Sequence, residues 1–292
     1  MGKKIRKQQV RQSPSANRHI ESKSSVITAL LLLTIAPLFL STFQRNHIWK
    51  DETSLWSDVL FKSPQKDRGY NGLGVAYYNN GFTDDAIREY KRSLEIKDNF
   101  LAHYNLGVAY LKNGLIDVAI HELNLSLELN PYYALSYYGS GLAYERKGIY
   151  SDAIKNYQNA VELNPYLDMA HYKLAEAYNN LGAEYEKKWQ VDNAIDNYNL
   201  ALAIDPNFLA ALNNLGIAYS KKKFFDNAVK IFKHALDIDK NFLDAHNNLG
   251  VVYREMGLYK DALKEFEVAL RLDPENKTIK SNIKKIASFG IN

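Results

Sequence analysis

The sequence contains no cysteine. A chain without thiols forms no disulfide, offers no thiolate nucleophile and cannot hold zinc or an iron–sulfur cluster through cysteine ligands. The redox state of its compartment therefore cannot be read from the sequence, and the chain is compatible with either side of a membrane.

Sequence patterns of catalysis are also missing. His121 and Glu122 lack the second histidine of an H-E-x-x-H zinc-protease motif, and Ser140 lies in a stretch of helical periodicity rather than at the strand-to-helix turn of a nucleophile elbow. The seven histidines are scattered along the chain. We therefore expect no enzyme activity, no catalytic residue, no metal site, no cofactor and no small-molecule substrate.

Basic charge is scarce outside the N-terminus. Residues 1–24 hold seven lysines and arginines and one glutamate, although the whole chain of 292 residues has a net charge of only +4, so the rest of the chain carries −2. Binding to phosphates requires a concentrated basic face on a folded domain. This distribution predicts that nucleic acid is not a partner.

Charge is absent altogether from Val26 to Phe43, an apolar segment of 18 residues. At about 1.5 Å per residue a helix of this length reaches roughly 27 Å, close to the roughly 30 Å hydrocarbon core of a bilayer. We predict a transmembrane helix over residues 25–43, after a basic and disordered tail over residues 1–24. A cleavable signal peptide is the alternative, although the segment exceeds a usual signal core and no A-x-A-like site follows it.

The flanking charges predict the orientation of this segment. The side richer in Lys and Arg stays in the cytoplasm, so the tail of residues 1–24 is expected inside and everything after about residue 44 outside. We therefore expect a single-pass membrane protein with its folded part outside the cytoplasm. In a bacterium this would be the periplasmic face of the inner membrane.

A pattern of the type LGVAY recurs along the rest of the chain. Its small residue occurs at six places, namely Gly74, Gly107, Gly141, Ala175, Gly216 and Gly250. A second set of small residues follows five of these after twelve positions, namely Ala86, Ala119, Ala153, Ala228 and Ala262. Because apolar residues between them recur every three or four positions, each unit reads as helical. The glycines are therefore interpreted as helix-packing positions and not as a phosphate-binding loop.

Each unit reads as two helices. Glycines separate the two apolar stretches where a left-handed helix cap favours glycine, at Gly81, Gly114, Gly148 and Gly257. The small and large residues on a 34-residue period resemble the tetratricopeptide repeat family over residues 67–274. The resemblance implies an all-α fold, a right-handed superhelical solenoid of helix-turn-helix repeats. The six predicted units are 67–99, 100–133, 134–167, 168–208, 209–242 and 243–274, with a half-repeat helix at 48–66 and a capping helix at 275–290.

The fourth unit is seven residues longer than its neighbours. LAEAYNN is followed by LGAEYEK, and Gly182 restores the twelve-residue distance to Ala194. The duplication predicts a first helix over about residues 168–187 that projects about 10 Å further than the others. It is interpreted either as a neutral insertion or as a docking protrusion.

In the tetratricopeptide repeat family the first helices line a concave groove. The resemblance places two rows of residues there. Three positions before the small residue stand Asn71, Tyr104, Tyr138, Tyr172, Asn213 and Asn247, and two positions before it stand Asn105, Asn214 and Asn248. Such rings and amides suit an extended peptide. The second row is similar to the asparagine ladder of O-linked N-acetylglucosamine transferase, interrupted at Gly72, Gly139 and Lys173; alternatively, the tyrosines pack between units.

The stretch from Arg45 to Tyr77 resembles the junction of multi-pass membrane glycosyltransferases with C-terminal repeats, where W-x-D-x-x-x-L-W precedes the first repeat on the non-cytoplasmic side. This chain has one apolar segment and no catalytic membrane domain. The resemblances together imply a membrane-anchored scaffold that binds protein or peptide partners through its groove. The alternatives are a non-catalytic accessory half of a membrane glycosyltransferase system and a secreted repeat protein released by signal cleavage.

Overall fold

The computed structural model describes residues 33–43 and 49–287. Residues 33–43 are helical, and residues 49–287 form helices without any strand. Within these two ranges no helix has the length and apolarity needed to cross a bilayer. The predicted tail, and residues 25–32 of the predicted span, lie outside the described residues.

Residues 52–287 form one unpaired helix, six antiparallel helix pairs and a final helix. The unpaired helix is α1 (Glu52–Lys62) and the final one is α14 (Lys277–Ala287). The pairs, called hairpins 1 to 6, are α2 (Asp67–Asn79) with α3 (Thr83–Ile96), α4 (Phe100–Lys112) with α5 (Ile116–Leu129), α6 (Ala134–Arg146) with α7 (Tyr150–Leu163), α8 (Asp168–Lys187) with α9 (Val191–Ile204), α10 (Leu209–Lys221) with α11 (Phe225–Ile238), and α12 (Leu243–Glu255) with α13 (Tyr259–Leu272).

Each hairpin reverses direction at one residue in the left-handed backbone region. In four hairpins this residue is glycine, with φ between 76° and 85°, as the sequence predicts. In hairpins 4 and 5 the position is held by Trp189 and Lys223, each with φ 61°. A residue other than glycine costs about 1–2 kcal/mol in this conformation. A search for glycine therefore misses these two caps.

Four of the turns between hairpins are closed by the side chain of the residue that follows the second helix. The Oδ1 atoms of Asn130 and Asn164 each accept a hydrogen bond, at 3.2 Å, from the backbone N–H two residues later. Asp205 and Asp239 do the same at 3.0 and 2.9 Å. Such Asx turns satisfy the backbone where the helix ends, and a proline next to three of these four residues cannot continue it.

The core of each hairpin is a contact between a small residue of the first helix and a large one of the second. A Cβ atom added to Gly74 would lie 2.5 Å from Cε1 of Tyr90, and one added to Gly250 would lie 2.7 Å from Cε1 of Phe266. Both rings are buried. The interpretation of the glycines as helix-packing positions is confirmed, because no side chain larger than hydrogen fits at these positions without displacing the ring.

The same large residues also contact the next hairpin. A Cβ atom added to Gly139 of hairpin 3 would lie 2.9 Å from Cδ2 of Leu123 in hairpin 2, and one added to Gly72 would overlap the ring of Trp56 in α1. The helix α1 therefore packs on hairpin 1 as a second helix would. One side chain thus holds both its own hairpin and the following one.

The first helices of successive hairpins also contact each other, and the weakest of these contacts is that between α6 and α8. Within residues 49–287, no contact of comparable extent joins successive second helices. Because the first helices lie closer together, the stack curves toward them. Their outward-facing side is the concave surface.

The 20-residue helix α8 is the longest of residues 49–287 and serves two registers. Its central part meets hairpin 3, where Nε2 of Gln158 donates to the hydroxyl of Tyr178 at 2.8 Å. Its second half meets α9, where a Cβ atom on Gly182 would lie 2.6 Å from Cε1 of Tyr198. The hairpins before and after α8 are therefore offset by seven residues, about 10 Å along its axis.

The contact of Gly216 with Phe232 gives a stability prediction. A Cβ atom at Gly216 would lie 2.6 Å from Cε1 of the buried ring. Although alanine is favoured over glycine in a helix by about 1 kcal/mol, we expect Gly216→Ala to lower the free energy of unfolding by about 1–3 kcal/mol because the ring must move. Chemical denaturation measures it, with Lys230→Ala on the exposed face of α11 as the control. Equal unfolding of the two variants would contradict the close approach.

Candidate partner-binding surface

Asparagine side chains join the first helices of neighbouring hairpins. Nδ2 of Asn105 donates to Oδ1 of Asn71 at 3.0 Å, and Nδ2 of Asn248 donates to Oδ1 of Asn213 at 2.9 Å. Two further pairs have the same form, Asn214 to Asn179 at 2.9 Å and Asn282 to Asn247 at 3.1 Å. We call these four pairs the amide ladder. Because three pairs bridge two first helices and the fourth joins the last first helix to α14, the ladder runs along the concave surface.

The ladder relates the two rows that the sequence predicts. The acceptor is the asparagine three positions before the small residue, and the donor is the one two positions before the small residue of the next unit. The structure therefore pairs the two rows with each other across hairpins. Each amide has two donor hydrogens and two acceptor sites. Asn248 also accepts from Asn247, and Asn282 accepts from Arg254, so the further capacity for a partner lies mainly on the half-buried asparagines.

Two members of the ladder were missed in the sequence, Asn179 and Asn282. Asn179 precedes Gly182 by three positions, so the duplicated heptad carried the signal. Asn282 lies in α14, which has no glycine to mark its register. Both are buried, whereas the ladder residues predicted from the sequence are half-buried.

The three predicted tyrosines do not form a uniform stripe. The rings of Tyr104 and Tyr133 meet edge to face with centroids 5.3 Å apart, and burial raises the pKa of Tyr104 to about 12. Tyr138 packs on Tyr157 at 5.9 Å, and burial raises its pKa as well. Only Tyr172 is open, with 58% of its surface exposed. Tyr104 therefore packs against the residue that precedes hairpin 3, Tyr138 packs within its own hairpin, and Tyr172 is available for contact.

The structure explains the interruptions of the second row. At Gly72 and Gly139 a side chain would collide with Trp56 and Leu123 of the preceding second helix, so no asparagine fits. At the third interruption Nζ of Lys173 lies 3.2 Å from Oε1 of Glu145 and 2.7 Å from an Oε2 atom of Glu176. This ionic bridge takes the place of an amide pair between α6 and α8.

The electrostatics of this bridge favour the charged lysine. Burial opposes its positive charge, but hydrogen bonds and the negative charges of Glu176 and Glu145 outweigh that effect, so the pKa of Lys173 is raised. Glu145 also accepts a hydrogen bond of 2.6 Å from the hydroxyl of Tyr157. The bridge is therefore connected to the core of hairpin 3.

A pocket lies between α10 and α12, beside the amide ladder. It has a volume of about 120 Å³, with walls of Ile217, Val251, Val252 and Phe232 and with Asn248 and Lys221 among its polar lining. This is space for about four water molecules. In the described part of the chain no group of three or more acidic or histidine side chains could hold a metal ion. The site thus offers amides, one exposed ring and an apolar pocket.

Comparison with known protein families identifies the family that has this architecture. Tetratricopeptide repeat models match residues 71–134, 146–182, 175–208 and 207–275. The chain belongs to the tetratricopeptide repeat family. Its hairpins are therefore tetratricopeptide repeats, and α1 corresponds to the second helix of such a repeat.

Solved structures of tetratricopeptide repeat proteins share the fold. The C-terminal part of a repeat-containing protein from Cytophaga hutchinsonii is 16% identical, with a TM-score of 0.62 over 82% of this chain and 96% of that chain. YrrB, described as a TPR protein with an unusual peptide-binding site, is 21% identical, with a TM-score of 0.50 over 67% of this chain and 97% of that chain. At these identities the likeness shows the fold alone. No curated protein matches the chain.

The amide ladder predicts an energetic coupling between repeats. Asn213→Ala and Asn248→Ala remove the two partners of one hydrogen bond, so a double-mutant cycle should give a coupling of about 0.5–1.5 kcal/mol in the free energy of unfolding. The matched control is the cycle of Asn214 with Asn248, whose amides bond to other residues. The ladder would be contradicted if the first cycle were as additive as the second.

Proposed function

We propose that this chain is a membrane-anchored scaffold whose concave surface binds an extended segment of a protein partner outside the cytoplasm. The observation that carries the proposal is the amide ladder of the first helices, with an apolar pocket beside its Asn248. Such a surface suits a known mode of peptide recognition, in which hydrogen bonds to the main chain of the peptide give affinity and pockets for its side chains give specificity.

The spacing of the ladder suits an extended chain. Packed helices are separated by about 8–10 Å, and an extended peptide rises about 3.3 Å per residue. Successive ladder pairs would therefore meet about every third residue of a partner. The remaining donors and acceptors of the asparagines can then bind its main-chain carbonyl and N–H groups.

The pocket and Tyr172 would select side chains of the partner. The walls of the pocket are aliphatic, with the phenyl ring of Phe232, so an apolar side chain would enter it. Tyr172 offers an exposed ring with a polar hydroxyl, which suits contact with a mixed surface. The expected partner is thus an extended segment with apolar residues, and no nucleic acid or small molecule is required.

The membrane part of the proposal rests on the uncharged segment from Val26 to Phe43 and on the basic tail before it. The folded array begins soon afterwards. Nε1 of Trp49 donates to Oδ2 of Asp58 at 3.0 Å, and the carboxylate of Asp51 caps α1 by accepting from the N–H of Ser54 at 2.7 Å. A short connection of this kind supports a scaffold held close to the bilayer.

The same contacts give the W-x-D-x-x-x-L-W junction a structural role. Trp49 and Asp51 secure the start of α1, and Trp56 packs on Gly72 of the first repeat. These residues therefore have a role in folding, and the resemblance to glycosyltransferase junctions stays a prediction. Co-purification with a multi-pass glycosyltransferase would favour the accessory-chain alternative.

The orientation is testable because the chain has no cysteine of its own. Single variants Ser15→Cys and Tyr166→Cys place one thiol in the tail and one in the exposed turn between α7 and α8. In intact cells a membrane-impermeant maleimide should label only residue 166, and residue 15 should react after permeabilisation. Labelling of residue 15 in intact cells would reverse the orientation, and loss of the tail from a released protein would establish the secreted alternative.

Partner binding is testable by photo-crosslinking in native membranes. A benzophenone amino acid replaces Tyr172, the exposed ring of the groove, and in the control it replaces Lys230 on an exposed position of α11. We expect a discrete crosslinked product from residue 172 and none from residue 230. Equal products from both positions would contradict recognition by the concave surface.

A further inference from the structure

We propose that the loop edge of repeats 3 to 5 lies against an anionic bilayer surface, with Trp189 in the headgroup layer. The loop edge is formed by the connections between first and second helices at residues 146–152, 187–193 and 221–227. This inference rests on the membrane location in the proposed function and is independent of what the groove binds.

Trp189 is the first observation. It is 87% exposed and sits in the left-handed position where four other repeats have glycine. A Cβ atom at those glycines would meet nothing within 4 Å, so a side chain at this position projects into open space. A tryptophan there contributes no packing to offset its backbone strain. Strained residues that persist without a structural gain point to a function.

Lysines occur in the loop that carries this ring, at 187–193, and in the next loop, at 221–227. Lys221 and Lys222 are paired with Glu186 and Asp192. Three more are exposed and form no ion pair with any residue of the described ranges, namely Lys187, Lys188 and Lys223. Lys223 occupies the second non-glycine left-handed position, directly before the half-exposed ring of Phe224. The adjacent loops of repeats 4 and 5 thus combine unpaired cations with exposed aromatic rings.

The two edges of these repeats differ in charge. The loops at 146–152, 187–193 and 221–227 contain seven lysines and arginines and three aspartates. The turns at the opposite edge, at 128–134, 162–168 and 203–209, contain no basic residue and four acidic ones. A negatively charged surface would therefore attract one edge and repel the other.

The path of the chain supports a lipid surface as the partner. The helix α1 corresponds to a second helix, so its N-terminus lies on the loop edge of the stack, and the apolar segment precedes it. The edge that carries Trp189 is therefore the edge to which the predicted span is joined. Tryptophan is enriched at membrane interfaces, and lysines near an anionic leaflet strengthen attachment. Both features of the loop edge fit this environment.

The test uses the full chain with a single cysteine, Gln190→Cys, beside the retained Trp189. The thiol carries an environment-sensitive fluorophore, and the protein is reconstituted into vesicles of phosphatidylcholine, alone or with about 30 mol% phosphatidylglycerol. We expect emission at residue 190 to rise about twofold or more with the anionic lipid. The matched control is Tyr166→Cys on the acidic edge, at a residue that is 91% exposed, where emission should stay unchanged.

Lysine-to-glutamine replacement at positions 187, 188 and 223 should abolish the rise at residue 190. An equal signal in both lipid mixtures, or a larger one at residue 166, would overturn the inference. So would a response to soluble heparin that exceeds the response to anionic vesicles. Flotation of the protein with vesicles in high salt tests the membrane span separately. Flotation without a signal at residue 190 refutes only the contact of the loop edge with the bilayer. A signal at residue 190 without salt-resistant flotation refutes only the transmembrane anchor.

Discussion

The architecture depends on one kind of contact. In it, a glycine of one helix lies against an aromatic ring or a leucine of the next helix. In repeats 1, 5 and 6 a glycine lies against Tyr90, Phe232 or Phe266 so closely that an added methyl group would overlap the ring. The same kind of large residue also packs against the following repeat, as Leu123 packs against Gly139. Because each contact sets the distance between two helices, the curvature of the stack and the line of first helices follow from it.

The amide ladder is a consequence of that spacing. Asparagines on neighbouring first helices reach each other at 2.9–3.1 Å only because the helices are held close by the small residues beside them. Where a glycine of the second row receives a large side chain, as at Gly72 and Gly139, the ladder is broken. Packing therefore decides where the concave surface is polar and where it is closed.

Much of this could be predicted from the sequence, since a 34-residue period of small and large residues specifies helix pairs and their packing faces. The four glycine caps follow from the same pattern, whereas Trp189 and Lys223 escape it because they hold the left-handed position in spite of its cost of about 1–2 kcal/mol. The contacts between individual side chains could not be predicted from the sequence. Tyr104 and Tyr138 share a sequence position with Tyr172, yet their burial depends on Tyr133 and Tyr157, which only the folded arrangement brings alongside.

The long helix α8 interrupts the regular stacking of the repeats, because the repeats before and after it pack at different heights along its axis. Upstream of it the ladder has the single pair of Asn71 and Asn105, and downstream it has three pairs in series. A straight ligand cannot align with both sections of the ladder, because the two sections are displaced from each other by about two helical turns along α8. A ligand that contacted both sections would therefore have to bend or consist of two segments.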